Sequence, residues 1–213
     1  MLIIFDLDGT LLNTIDDLSD ATNYALWEYG FAARSVDECR NFVGNGVTKF
    51  MERALPDHAR TPENIARMRE LFLSYYNEHL WDKTCPYVGM RSILAALQNR
   101  GIKLAVASNK YQSATERLIE HFFAQITFAA VLGQRENIPS KPHPQIVQDI
   151  LAVAGETREN TLYIGDSDVD MQTAQNAGVK ACAATWGYKS REVLAACEPD
   201  YMIDTPQELV NLI

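Results

Sequence analysis

Leu2-Ile3-Ile4-Phe5-Asp6-Leu7-Asp8-Gly9-Thr10 decides how the rest of the chain is read. An apolar, partly β-branched run predicts a buried strand. That strand delivers two carboxylates to its C-terminal end, where open α/β sheets place their chemistry. Strand side chains alternate between faces, so Asp6 and Asp8 share a side while Leu7 packs away. Two acids at one strand tip repel unless a cation or a shared proton offsets them. Gly9 allows a tight turn. Asp-Gly-Thr is also ordinary turn vocabulary, but an apolar strand leading straight into paired acids is costly without a use.

The chain has 213 residues, 47% of them hydrophobic, enough for a sizeable core. Its formal net charge of -9 argues against nucleic acid or an anionic membrane as partner. A metal and a few cations can still reverse the local field for a phosphate ligand. The N-terminal apolar run is too short for a signal peptide, and no apolar stretch is long enough to span a bilayer. Cys39, Cys85, Cys182 and Cys197 lie far apart without metal-ligand spacing, which predicts reduced thiols and a cytoplasmic location. A monomer or a homodimer is expected.

Beyond the first strand the pattern is helical over residues 14–85. Thr14 with Asp17, and Ser35 with Glu38, have capping-box spacing. Gly44-Asn45-Gly46 breaks the chain, and Thr61-Pro62-Glu63 starts a helix that runs to about Trp81. From Pro86 onward strands and helices alternate. Lys103–Ala107, Phe128–Leu132, Thr161–Ile164, Val179–Ala184 and Tyr201–Ile203 read as strands. Alternation of this kind predicts βαβ units in a Rossmann-like parallel sheet with helices on both faces. The fold class is therefore α/β, with residues 1–13 and 86–213 as the core and residues 14–85 as an inserted α-helical cap.

Four strand ends then carry polar groups on one sheet edge: Asp6 and Asp8, Ser108 and Asn109, Lys141, and Asp166 with Asp168 and Asp170 beyond it. The assembly suits phosphoryl transfer. Oxygen-only ligands from Asp6, Asp166 and the Asp8 carbonyl match Mg²⁺. The metal and Lys141 neutralise phosphoryl oxygens. One carboxylate attacks phosphorus, and a second serves as acid and base. Ser108 and the amide after it can donate to the same oxygens.

Asp6-Leu7-Asp8-Gly9-Thr10-Leu11, Ser108-Asn109, Lys141-Pro142 and Gly165-Asp166-Ser167-Asp168-Val169-Asp170 resemble the four ordered motifs of the haloacid dehalogenase superfamily. The resemblance covers essentially the whole chain. Phe42-Val43-Gly44-Asn45-Gly46-Val47 and Met51-Glu52-Arg53-Ala54-Leu55 are similar to the cap of the phosphoglycolate phosphatase branch. The resemblance implies Asp6 as nucleophile, Asp8 as general acid/base, and Asp6, Asp8, Asp166 and Asp170 around Mg²⁺, Asp170 either as a ligand or as the group that orients Lys141. Gly9, Thr10, Ser108, Asn109 and Lys141 would meet the phosphoryl group, with Ser108 and Lys141 assisting catalysis. Asn13-Thr14 stands where the family often has Asp-Ser, which weakens assignment to a single substrate.

The expected function is hydrolysis of a small phosphorylated metabolite, 2-phosphoglycolate first, through an aspartyl-phosphate. A β-phosphoglucomutase-like phosphomutase, a nucleotidase, a pyrophosphatase and a non-catalytic phospho-ligand binding module remain as alternatives. Asn45 and Lys49 in the cap are candidate contacts for a substrate carboxylate. His143 reads as a loop-structural residue, Trp27, Trp81 and Trp186 as packing, and Asp16-Asp17 as acids favourable at a helix N-terminus.

Overall fold

The computed structural model describes residues 1–212. The chain divides into two compact units: Thr14–Cys85, and the residues that precede and follow that segment.

The larger unit is built on a parallel sheet. Its strands are β1 (Leu2–Phe5), β4 (Lys103–Tyr111), β5 (Phe128–Gln134), β6 (Thr161–Gly165), β7 (Lys180–Ala184) and β8 (Tyr201–Ile203), in the order β5-β4-β1-β6-β7-β8. Every neighbouring pair is parallel. The short strands β2 (Leu12–Asn13) and β3 (Cys85–Pro86) form a separate two-stranded sheet. β1 lies between β4 and β6, so both of its edges are paired, and the full burial of Leu2, Ile3, Ile4 and Phe5, which point to alternate faces, shows that both of its faces are covered as well. Burial of each such side chain contributes roughly 1.5–3 kcal/mol. This explains why the strand reads as an uninterrupted apolar run rather than an alternating one.

α7 (Gln145–Ala154) and α8 (Asp168–Ala177) supply Ile146, Val147, Ile150, Met171 and Ala174 to the core on the sheet face that carries Leu2, Ile4, Ala107 and Tyr163. Asp6 continues the alternation of Leu2 and Ile4, which aims it at this same layer. α5 (Met90–Asn99) and α6 (Gln112–Phe123) also pack against β4. The chain winds outward from β1 to β4 and β5, then crosses back to β6. That reversal beside β1 is where an open α/β sheet forms a crevice at its carboxyl edge.

The Thr14–Cys85 unit holds α1 (Ile15–Glu28), α2 (Val36–Phe42), α3 (Gly46–Ala54), a short 3₁₀ turn (Asp57–Ala59) and α4 (Pro62–Glu78). Ser35 and Glu38 form the expected reciprocal capping box, and Thr61 caps α4 with Pro62 in its first turn. The Thr14–Asp17 box does not form, because the Thr14 side chain makes no capping bond. Asp17 instead accepts bonds from the Lys83 amide (3.0 Å), the Thr84 amide (2.8 Å) and the Thr84 hydroxyl (2.7 Å). A residue read as a local helix signal therefore closes the unit on itself across 67 positions. α4 ends at Glu78, short of Trp81, since His79 turns away to pair with Asp82.

Asp17→Ala would leave those donors buried without their charged acceptor, a loss of about 2–4 kcal/mol. Urea unfolding followed by tryptophan fluorescence should show that drop. A change below about 0.5 kcal/mol, the level of an ordinary surface substitution, would contradict the assignment.

Candidate active site

The centre of the sheet edge is one ammonium group. Lys141 Nζ donates to Asp6 Oδ1 at 2.8 Å and to Asp170 Oδ1 at 2.7 Å. The Ala107 carbonyl at 3.0 Å and the Tyr163 hydroxyl at 3.1 Å also lie within its reach. Lys141 and Asp170 are both buried, so the charges are taken out of water and offset by direct contact. Burial alone would lower the lysine's pKa, but the Asp170 and Asp6 carboxylates outweigh it and hold the group well above its usual value. Its main chain is gripped as well: the Lys141 amide donates to Asn109 Oδ1, and Asn109 Nδ2 donates to the Lys141 carbonyl.

Asp170 does two jobs with two oxygens. Oδ1 holds Lys141, while Oδ2 accepts from the Ser167 amide (3.1 Å) and hydroxyl (2.5 Å). Those last bonds belong to a capping box at the start of α8, so the helix N-terminus fixes the carboxylate that fixes the lysine. Gly165 permits this approach, since a Cβ there would stand 2.3 Å from the Asp170 Cβ.

Asp166 follows β6 and is almost fully buried. Its Oδ1 accepts from the Thr10 hydroxyl at 2.8 Å, and Oδ2 accepts from the Tyr188 amide at 2.7 Å. Gly9 turns with φ +91, and a Cβ at that position would meet Asp166 Oδ2 at 2.3 Å. Burial, then the Asp170 and Asp6 carboxylates, push the Asp166 pKa well up. Burial and Asp170 likewise raise Asp6 to about 7, against the pull of Lys141.

Asp6, Asp166 and Asp170 each offer a carboxylate oxygen, and the three lie within 4.8 Å of one another. Asp8 is paired with a different cation, Lys110 Nζ, at 3.0 and 3.2 Å through its two oxygens. Of the groups named so far, four carboxylates face two ammonium ions. The surplus of two negative charges and the oxygen-only donors fit a hard divalent cation.

Several residues expected to contact substrate have other partners here. The Thr10 side chain is fully buried and orients Asp166, while the Asn109 amide holds the lysine backbone. Ser108 Oγ accepts from the Lys110 amide at 3.2 Å near the end of β4. In the helical unit, Asn45 Oδ1 accepts from Arg53 at 2.8 Å, and Lys49 pairs with Glu52 at 2.6 Å. His143 accepts from the Gln145 amide, in keeping with a structural loop role.

Sequence reading missed three contributors. Lys110 adjoins the quoted Ser108-Asn109 motif, and its place on a buried strand was the available signal. Tyr163 is a large side chain with a polar tip, fully buried within β6, and its hydroxyl also lies 3.2 Å from Asp170 Oδ1. Trp186, read as packing, donates its indole N–H to the Thr10 carbonyl at 3.0 Å.

A sequence profile of the haloacid dehalogenase-like hydrolases matches residues 3–184. The chain belongs to that family. It is 36% identical over 196 residues to a phosphoglycolate phosphatase of Mesorhizobium japonicum, covering 90% of this chain and 86% of that protein. A phosphoglycolate phosphatase of Aquifex aeolicus is 33% identical over 211 residues, with 99% and 95% covered. A crystal structure from Lactobacillus delbrueckii subsp. bulgaricus, of a protein provisionally assigned as a phosphoglycolate phosphatase, superposes with a TM-score of 0.94. The two are 33% identical, over 100% of this chain and 97% of that one.

The Lys110–Asp8 pair should be measurable as a coupling. Lys110→Met alone leaves Asp8 without its ammonium, while Asp8→Asn alone leaves Lys110 without its carboxylate. A double-mutant cycle by chemical unfolding is expected to give a coupling of about 1–3 kcal/mol. Strict additivity would contradict a direct, energetically coupled pair.

Proposed function

We propose that the chain is a Mg²⁺-dependent phosphatase that hydrolyses 2-phosphoglycolate or a closely similar small phosphorylated acid through an aspartyl-phosphate on Asp6. The observation that carries this reading is the contact of Lys141 with Asp6 and Asp170 beside the buried Asp166. One cation there holds a carboxylate in place without covering both of its oxygens. The names of the curated relatives support the choice of substrate.

Asp6, Asp166 and the Asp8 carbonyl would hold Mg²⁺, with Asp170 beside them, acting chiefly on Lys141 because its two oxygens already accept two bonds each, from Lys141 and Tyr163 and from the Ser167 amide and hydroxyl. The ion supplies positive charge against the phosphoryl oxygens when bound. A free Asp6 oxygen attacks phosphorus and the P–O bond to glycolate breaks; Asp8, which takes up a proton and parts from Lys110 as substrate binds, gives that proton to the departing alkoxide. Asp8, now a carboxylate, takes a proton from water as that water attacks the phosphoenzyme. Inorganic phosphate leaves, and Asp6 and the Asp8 carboxyl are restored. Ser108 and Lys141 assist by meeting the negative oxygens, with Gly9 and Asn109 shaping the loops around them.

Selection among phosphate esters is assigned to the helical unit, with Asn45 and Lys49 as the candidate residues. The Lys49–Glu52 pair is exposed, so holding Lys49 there is worth less than about 1 kcal/mol, and a substrate carboxylate can compete for it.

A panel of phosphate esters assayed with and without chelator tests the proposal. Phosphate release should require Mg²⁺, and 2-phosphoglycolate should have the highest kcat/KM. Asp6→Asn should cut turnover by roughly three orders of magnitude or more, as expected for loss of a nucleophile. Full activity in excess EDTA, or isomerised sugar phosphate in place of released phosphate, would overturn it.

A further inference from the structure

We propose that Trp186-Gly187-Tyr188, the turn after β7, is a positioning segment for Asp166 that sets the affinity of the protein for Mg²⁺. The segment belongs to none of the four motifs, and it carries no acidic or basic side chain. The inference rests on the reading of Asp166 as a magnesium ligand.

The contacts form a closed circuit. The Trp186 indole donates to the Thr10 carbonyl at 3.0 Å. The Thr10 hydroxyl donates to Asp166 Oδ1 at 2.8 Å. The Tyr188 amide donates to Asp166 Oδ2 at 2.7 Å. Each carboxylate oxygen thus has one protein donor, which fixes the plane of the group. Each oxygen keeps a second lone pair for a cation. A ligand already fixed loses little freedom when the ion arrives, so its orientation feeds directly into affinity.

Gly187 is where the circuit is tightest. A Cβ there would stand 2.2 Å from the Asp166 Cβ and 2.4 Å from Oδ2. A contact that close forces the carboxylate or the turn to move. The base of the turn is held independently, because the Thr185 amide donates to the Ile203 carbonyl at 3.1 Å. Any displacement therefore falls on Asp166 or on the Tyr188 amide rather than on the sheet. Trp186 also lies near Tyr87, with ring centroids 6.4 Å apart, which keeps the indole beside the Thr10 loop.

The test compares Mg²⁺ binding by isothermal titration calorimetry in the wild-type protein, Gly187→Ala and Trp186→Phe, well below each unfolding midpoint. Gly187→Ala should raise the Mg²⁺ dissociation constant at least about tenfold, as loss of one supporting contact to a metal ligand does. Trp186→Phe keeps an aromatic ring but loses the indole donor, and should raise it by a smaller factor of roughly three. In both variants kcat should recover toward the wild-type value at saturating Mg²⁺, which a general structural defect would not allow. Unchanged Mg²⁺ affinity in a folded Gly187→Ala protein would overturn the proposal. If that variant does not fold, unchanged affinity in Trp186→Phe overturns it. Failure of the wild-type protein to bind Mg²⁺ would remove the magnesium reading first and this inference with it.

Discussion

The ammonium of Lys141, held between Asp6 and Asp170, is the contact on which the rest of the site depends. Three elements far apart in sequence meet at that nitrogen: the end of β1, the loop before α7 and the first turn of α8. Without the lysine, Asp6, Asp166 and Asp170 would be crowded acids in a water-poor setting, where like charges oppose ionisation. The ion pair is not there for stability alone, since buried pairs often contribute little net free energy. Its use is to keep a carboxylate ordered at the edge of a sheet whose interior is apolar.

Steric allowance completes the arrangement. Gly9 and Gly165 stand where any side chain would collide with the carboxyl groups of Asp166 and Asp170. The acids are thus packed as closely as backbone permits, and a surplus of negative charge follows from that packing. A divalent cation is the natural complement, and burial first and the Asp170 carboxylate second raise the pKa of Asp6 to about 7.

Much of this was legible in the sequence because it is written in charge. An apolar run ending in Asp6 and Asp8, a second ending in Asp166 and a lone Lys141 between them mark the strand ends of a parallel sheet. What was not legible is written in backbone and in distant contacts. Thr10 and Asn109 have ordinary polar side chains, and nothing local says that they turn inward to Asp166 and Lys141. Trp186 gives no local sign of a polar contact, because the Thr10 carbonyl that accepts its indole N–H lies 176 positions away. Asp17 has capping-box spacing from Thr14, yet partners contributed by Lys83 and Thr84 win over the local one. These four cases have one cause: the side chain takes a partner distant in sequence that the fold brings within hydrogen-bond reach.

The claim that Asp6 is a nucleophile kept ready by Lys141 is tested most directly by trapping the covalent species. The enzyme is mixed with a phosphorus-labelled phosphate ester, quenched in acid within a turnover, digested and mapped by mass spectrometry. The account predicts label on the N-terminal peptide at Asp6, absent in Asp6→Asn. Label on any other residue, or no labelled peptide when Asp8→Asn protein releases the leaving group of an aryl phosphate, would contradict it.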